Sequence, residues 1–216
     1  MPRAAFAHVE TWVFDLDNTL YPPAVRLFDQ IEQRMTAYLV RLLRVSAAEA
    51  DGLRTRYWRS YGTTLAGLMR EHGINPTDYL AEVHDIDLSG VVRAPELSAA
   101  LGRLRGRKLV YTNGSREHAR RVTAAIGLEG CFDALYGFED AAYQPKPQAE
   151  AFAAVFGRDG LATARAAMFE DDPRNLEVPH RLGMRTVLVG PAGDPAERPH
   201  VHHRTGDLAA FLGRVA

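Results

Sequence analysis

An α/β fold built on a doubly wound parallel sheet is predicted by three observations on this 216-residue chain. Four short apolar runs, at residues 12–14, 108–111, 166–169 and 186–189, end in turn or polar residues, as strands buried on both faces do. Segments with helical spacing separate them, and the alternation of the two patterns is the signature of parallel strands joined by helices. Glycines mark the expected helix ends, at Gly127 after residues 116–126, at Gly157 after 147–156 and at Gly183 after 173–182. Pro179 is expected to kink or shorten the last of these.

With 46% apolar and 25% charged residues, the chain can bury one full core and a smaller attached unit. Its formal net charge of -1, from 26 basic and 27 acidic residues, provides no field suited to a nucleic acid polymer. Any phosphate it handles is expected to be small and locally bound. Cys131, the single cysteine, has no partner for an internal disulfide. No signal-peptide pattern precedes Thr11 and no apolar run approaches a membrane span, so a cytoplasmic protein without membrane partners is expected.

The first strand runs into Phe14-Asp15-Leu16-Asp17-Asn18-Thr19-Leu20. Residues i and i+2 of an extended chain project to one side, so Asp15 and Asp17 should face a common site. Two converging carboxylates repel unless a cation or a shared proton relieves them, and magnesium favours such hard oxygen donors.

After this strand, residues 21–93 contain no strand pattern. Leu27, Ile31, Met35, Tyr38 and Leu42 are read as one helical face, Leu53, Tyr57 and Tyr61 as a second, and Leu65, Leu68 and Met69 follow. Ser46-Ala47-Ala48-Glu49 has the form of a capping box, and Asn75-Pro76 that of a helix start. The stretch is read as a helical unit inserted after the first strand. The segment 191–199, rich in proline, glycine and charge, reads as an exposed connection.

Two later strands also end in polar groups, at Thr112-Asn113-Gly114 and at Glu170-Asp171-Asp172. Ligands of open α/β sheets bind outside the carboxyl ends of the strands, so these groups and the two aspartates can meet. Lys146, between Pro145 and Pro147 before an expected helix, would add a fixed cation. Each feature alone has an ordinary reading, such as a solvated turn, a helix cap or an exposed lysine. Their occurrence together and in order is what carries the functional reading.

The set D-x-D-x-T at Asp15, Asp17 and Thr19, with Thr112, Lys146 and Glu170-Asp171, resembles the haloacid dehalogenase superfamily over nearly the whole chain. The resemblance implies a Rossmann-like core at 1–20 and 96–216 and a helical cap at 21–95. More narrowly, Asp17-Asn18-Thr19-Leu20-Tyr21-Pro22, Tyr61-Gly62-Thr63-Thr64, His84-Asp85-Ile86-Asp87 and Phe169-Glu170-Asp171 resemble the pyrimidine 5′-nucleotidase branch. By this resemblance Asp15 is a nucleophile that forms an aspartyl-phosphate, and Asp17 is the general acid and base. Leu16 and Asn113, through backbone amides, together with Thr112 and Lys146, would bind the phosphoryl group.

The resemblance further implies Mg2+ held by Asp15, Asp17 and Asp171, with Glu170 a ligand or a partner through water. Tyr21, Tyr57, Tyr61 and His84 are candidates for recognising the leaving group, although core packing is the ordinary reading of Tyr57 and Tyr61. The implied reaction is hydrolysis of a small phosphomonoester, with a pyrimidine nucleoside 5′-monophosphate as the first substrate. Sugar-phosphate hydrolysis, phosphomutation and a non-catalytic binding module are the alternatives. Dehalogenation would need neither the second acid nor magnesium.

Overall fold

The computed structural model describes residues 2–191 and 198–216. Six strands form one parallel sheet: β1 (Thr11–Phe14), β2 (Arg107–Tyr111), β3 (Ala134–Tyr136), β4 (Ala166–Glu170), β5 (Arg185–Val189) and β6 (His203–Thr205). Their order is β3-β2-β1-β4-β5-β6, so the chain winds outward in both directions from β1. The topological switch point therefore lies between β1 and its neighbours, where ligands of such sheets bind.

Pleating distributes the core over two faces. Trp12, Phe14, Val110, Ala167 and Phe169 belong to one apolar cluster, whereas Val13, Leu109, Tyr111, Ala166 and Met168 belong to the other. Phe14 and Phe169 stack at 4.8 Å across the β1–β4 pair and fix the strands whose ends carry acids.

Helices α1 (Pro2–Ala5), α6 (Pro95–Arg103), α7 (Arg116–Ala125), α8 (Ala149–Asp159), α9 (Glu177–Arg181) and α10 (Leu208–Val215) accompany the sheet. Between β1 and β2 lie α2 (Leu27–Leu43), α3 (Ala47–Tyr61), α4 (Thr64–His72) and α5 (Pro76–Val83). The Ser46–Glu49 capping box opens α3, and the Asn75 side chain accepts from the Thr77 amide at the start of α5. Leu27, Ile31 and Leu39 are buried along α2, whereas Leu42 is 41% exposed. Among the described residues, no helix is long and apolar enough to cross a membrane.

Several local expectations are corrected. Strands β3 and β6, of three residues each, are additional to the expected four, because Ala134-Leu135-Tyr136 is short and His203-Arg204-Thr205 is polar. Helix α8 starts at Ala149, since Gln148 is still extended, and passes through Gly157 to end at Gly160, whose φ of 72° suits glycine. Residues 173–182 divide into a 3₁₀ turn, Pro173–Leu176, and the five-residue α9. Pro179 fits in its first turn, where the missing amide would have had no helical partner. Most of the 191–199 connection lies outside the described residues.

Candidate active site

At the end of β1, the Asp15 amide still donates to Phe169 O at 2.9 Å, continuing the ladder to β4. The chain then turns, with the Leu16 carbonyl accepting from Thr19 N and Leu20 N, and with Asn18 in the left-handed region at φ 62°. The Leu16 side chain is buried in the core, which leaves its backbone for any ligand contact.

A cavity of about 560 Å³ opens over this turn and is lined by Asp15, Asp17, Thr112, Asn113, Lys146, Glu170 and Asp171. The motifs separated in sequence are thus brought to one place. A larger hollow of about 780 Å³, lined partly by Leu20, Tyr21, Arg93, Glu96 and Asp207, lies away from the lysine and the acids of β4. The smaller cavity holds the convergent polar groups and is the functional candidate.

Lys146 is 1% exposed, and its Nζ donates to Asp15 Oδ1 at 2.7 Å, Glu170 Oε1 at 2.6 Å and Tyr111 O at 3.0 Å. Burial opposes its charge, but the flanking Asp15 and Glu170 carboxylates prevail and raise its pKa. The Asn113 side chain fixes the lysine backbone from both sides, donating to Lys146 O and accepting from Lys146 N.

Glu170 is completely buried. Besides Lys146, its carboxylate accepts from Asn175 Nδ2 at 2.7 Å and from the amides of Asp171 and Asp172. Asp172 is engaged by Arg174, which also lies 3.8 Å above the Trp58 ring of α3. Of the three consecutive acids, Glu170 and Asp171 but not Asp172 share the acidic cluster with Asp15.

Burial, and then the Glu170 charge, push the Asp15 carboxyl up to about 7 against the opposing pull of Lys146. Burial followed by Glu170 and Asp15 pushes Asp171 up to about 9. Ligand oxygens of Asp15, Glu170 and Asp171 lie within 4.8 Å of one another, a hard donor set whose mutual repulsion a cation would relieve. The residues present therefore fit a divalent metal.

Asp17 is governed by different partners. Its burial favours the neutral form, but the charge and hydrogen bond of His118, joined by Tyr21, outweigh burial and hold its pKa below the ordinary value. Tyr21 OH donates to Asp17 Oδ1 at 2.5 Å, and His118 Nε2 lies 3.0 Å from the same oxygen. Tyr21 thus meets the acid itself.

His84 lines the cavity, stacks on His118 at 4.2 Å and places Nδ1 3.1 Å from Ser115 Oγ. Helix α3 contributes Asp51, Arg54, Thr55 and Trp58 to the described lining, while Tyr57 and Tyr61 turn their hydroxyls toward Glu71. Thr112 Oγ1 accepts from Gly114 N, which orients a hydroxyl still able to donate.

His118 was not among the sequence candidates. It occupies the third position of α7, its amide capped by Ser115 Oγ, and helical side chains lean toward the N-terminus, here toward the strand ends. The available signal was a histidine in the first helical turn after Thr112-Asn113-Gly114-Ser115.

The sequence profile of the haloacid dehalogenase-like hydrolases matches residues 9–183. The chain belongs to this family. It is 25% identical over 195 residues to Phosphate metabolism protein 8 of Saccharomyces cerevisiae, covering 83% of this chain and 61% of that protein's length. Among solved structures, CbbY from Rhodobacter sphaeroides in complex with phosphate matches with a TM-score of 0.66 at 18% identity, over 94% of this chain and 99% of its own. The HAD-hydrolase YfnB from Bacillus subtilis, bound to magnesium, matches with a TM-score of 0.61 at 17% identity, over 96% and 98%. The 2-haloacid dehalogenase from Pseudomonas syringae pv. Tomato matches at 0.56 and 20% identity, over 96% and 100%. These structural likenesses establish a common fold.

Proposed function

We propose that this hydrolase is a magnesium-dependent phosphomonoesterase that works through an aspartyl-phosphate on Asp15. The observation that carries the reading is the buried Lys146 bridging Asp15 and Glu170 in a cavity shared with Asp17, Thr112 and Asp171. Acid-assisted phosphoryl transfer accounts for this whole set, whereas dehalogenation leaves Asp17 and Asp171 without a task. The proposed division is a core at 1–20 and 96–216 with a cap at 21–95, in a cytoplasmic protein.

In the first half-reaction an Asp15 carboxylate oxygen attacks phosphorus and the bond to the ester oxygen breaks, while Asp17, whose protonated form the bound phosphate charge favours against the pull of His118 and Tyr21, supplies that oxygen with a proton. In the second, Asp17 takes a proton from water as the water attacks phosphorus, and the bond to Asp15 breaks to release phosphate. Lys146 aims the Asp15 carboxylate and, with Thr112 and the backbone amides near Leu16 and Asn113, donates to the phosphoryl oxygens. Asp15, Asp171 and the backbone carbonyl of Asp17 would hold Mg2+, with Glu170 placed behind them. The cation supplies neutralisation of the acidic cluster and of phosphoryl charge.

The first substrate to test is a pyrimidine nucleoside 5′-monophosphate, for which the cavity offers apolar Phe28, Ile31 and Met35 beside Arg54 and Thr55. Sugar phosphates are the second group, since CbbY has been solved with xylulose-(1,5)bisphosphate. Purified protein with Mg2+ is expected to release phosphate from one class in a panel of nucleotides and sugar phosphates. Asp15→Asn is expected to release none. Equal release by the two proteins would remove Asp15 as nucleophile, and a phosphorylated isomer in place of free phosphate would indicate a mutase.

A further inference from the structure

Two buried side chains converge on one oxygen of Asp17. Tyr21 OH and His118 Nε2 both approach Oδ1, at 2.5 and 3.0 Å. The two belong to different parts of the chain: Tyr21 follows the strand-end turn, and His118 sits in the first turn of α7.

The imidazole is itself held firmly. His84 covers it face to face at 4.2 Å with 13° between the ring planes, and α7 is tied to the same segment by Arg121, which donates to His84 O and Ile86 O. A Cβ on Gly114 would come within 3.1 Å of His118 Cδ2 and 3.3 Å of His84 Nε2, so a side chain there would press on the stack. None of these groups has a part in the half-reactions set out above.

We infer that His118 and Tyr21 are positioning residues that hold Asp17 by Oδ1 and reserve Oδ2 for proton exchange with the leaving-group oxygen and the attacking water. The inference rests on the proposed role of Asp17. Its chemical logic is simple. An oxygen that accepts from two donors is the carbonyl-like oxygen of a carboxyl group, and the proton of the acid form then resides on the other oxygen. Tyrosine can donate here in either state of Asp17, and His118 does the same whenever Nε2 carries a hydrogen. The restraint also fixes the rotamer, and a reacting group displaced by 1 Å can cost ~10²-fold in rate.

The test varies the leaving group. A nitrophenolate departs without a proton, whereas an alkoxide needs one, so a misplaced acid harms alkyl esters selectively. Tyr21→Phe, which loses only the hydroxyl, and His118→Gln would be compared with wild type by kcat/KM. The substrates are p-nitrophenyl phosphate and uridine 5′-monophosphate, or the fastest alkyl phosphate of the panel.

General acid catalysis contributes ~10²–10⁴-fold, and partial misplacement of the acid is expected to lose about tenfold on the alkyl ester. The loss on the nitrophenyl ester should be at least about fivefold smaller, with inhibition by inorganic phosphate retained, because phosphoryl binding does not use Asp17 Oδ1. In an Asp17→Asn background, either substitution should lose less than about twofold more on the alkyl ester, since residues acting through one group are not additive.

Equal losses on both substrates, or full additivity with Asp17→Asn, would overturn the inference while leaving the phosphatase reading intact. A wild type inactive on both substrates would overturn that reading and this inference with it. Should His118→Gln fail to fold, Tyr21→Phe alone gives the same contrast.

Discussion

Replacing Lys146 with Met tests the central charge arrangement, because the substitution keeps the bulk of the side chain and removes its cation. Three donor contacts disappear, to Asp15 at 2.7 Å, Glu170 at 2.6 Å and Tyr111 O at 3.0 Å, all in a site that is almost fully buried. Breaking a buried ion pair by removing one partner typically costs ~3–5 kcal/mol. Glu170 softens the effect, since Asn175 and the amides of Asp171 and Asp172 continue to donate to it. Asp15 has no such support among the described residues and carries the loss, and because Glu170 stays satisfied the expected destabilisation is near the lower end, about 3 kcal/mol. For a chain of this size that lowers Tm by about 6–12 °C. The assay is urea unfolding at pH 7.5 without metal, followed by tryptophan fluorescence and checked for an unchanged m-value. Asp15→Asn in the same background should recover at least about half of the loss, because a neutral amide no longer needs the cation. A variant within about 1 kcal/mol of wild type, or no recovery by the second substitution, would refute the argument.

Removal of Mg2+ by chelation is expected to abolish phosphate release. Mg2+ should raise the Tm of wild type but not that of Asp171→Asn, which lacks one of the converging carboxylates, with differential scanning calorimetry as the check. Burial, reinforced by His118, depresses the His84 pKa to about 3 from its ordinary 6.5. Between those values the unfolded chain binds the proton and the folded chain does not, so this contribution to stability is full above pH 6.5 and is lost as pH falls toward 3. From pH 7 to pH 5 the wild type should lose up to about 2 kcal/mol more than His84→Gln in urea titrations, and equal slopes would contradict the assignment.

What could be read in advance follows from which features are periodic or local. The central strands were legible because burial on both faces forces continuous apolar runs, and the chemical motifs because each follows such a run. The edge strands β3 and β6 were not, since three residues provide too little pattern. The clustered carboxylates Asp15, Glu170 and Asp171 lie close to their strand ends, so backbone topology alone brings them together. His118 was missed because its relation to Asp17 spans 101 positions and depends on the direction of a helical side chain. Tyr21 and Tyr57 show the same limit from the other side. Both are aromatic residues between β1 and β2, yet the first reaches Asp17 and the second turns its hydroxyl to Glu71 of α4, a distinction that spacing does not encode.

The charges on the insert's side of the cavity bear on which phosphate ester fits. Arg54 is the guanidinium that lines this wall, and it already meets Glu32 at 2.6 Å and Asp51 at 3.1 Å. One cation against two carboxylates leaves the wall with a negative balance. A second phosphate on the leaving group would meet like charge there, unlike a neutral sugar or nucleoside. A bisphosphate is accordingly expected to show kcat/KM at least about tenfold below that of the monophosphate with the same carbon skeleton, the equivalent of 1.4 kcal/mol. Neutralising the wall with Glu32→Gln and Asp51→Asn should narrow that gap through KM. If the gap persists after both substitutions, or if the bisphosphate is preferred from the start, the charge of this wall does not select the substrate.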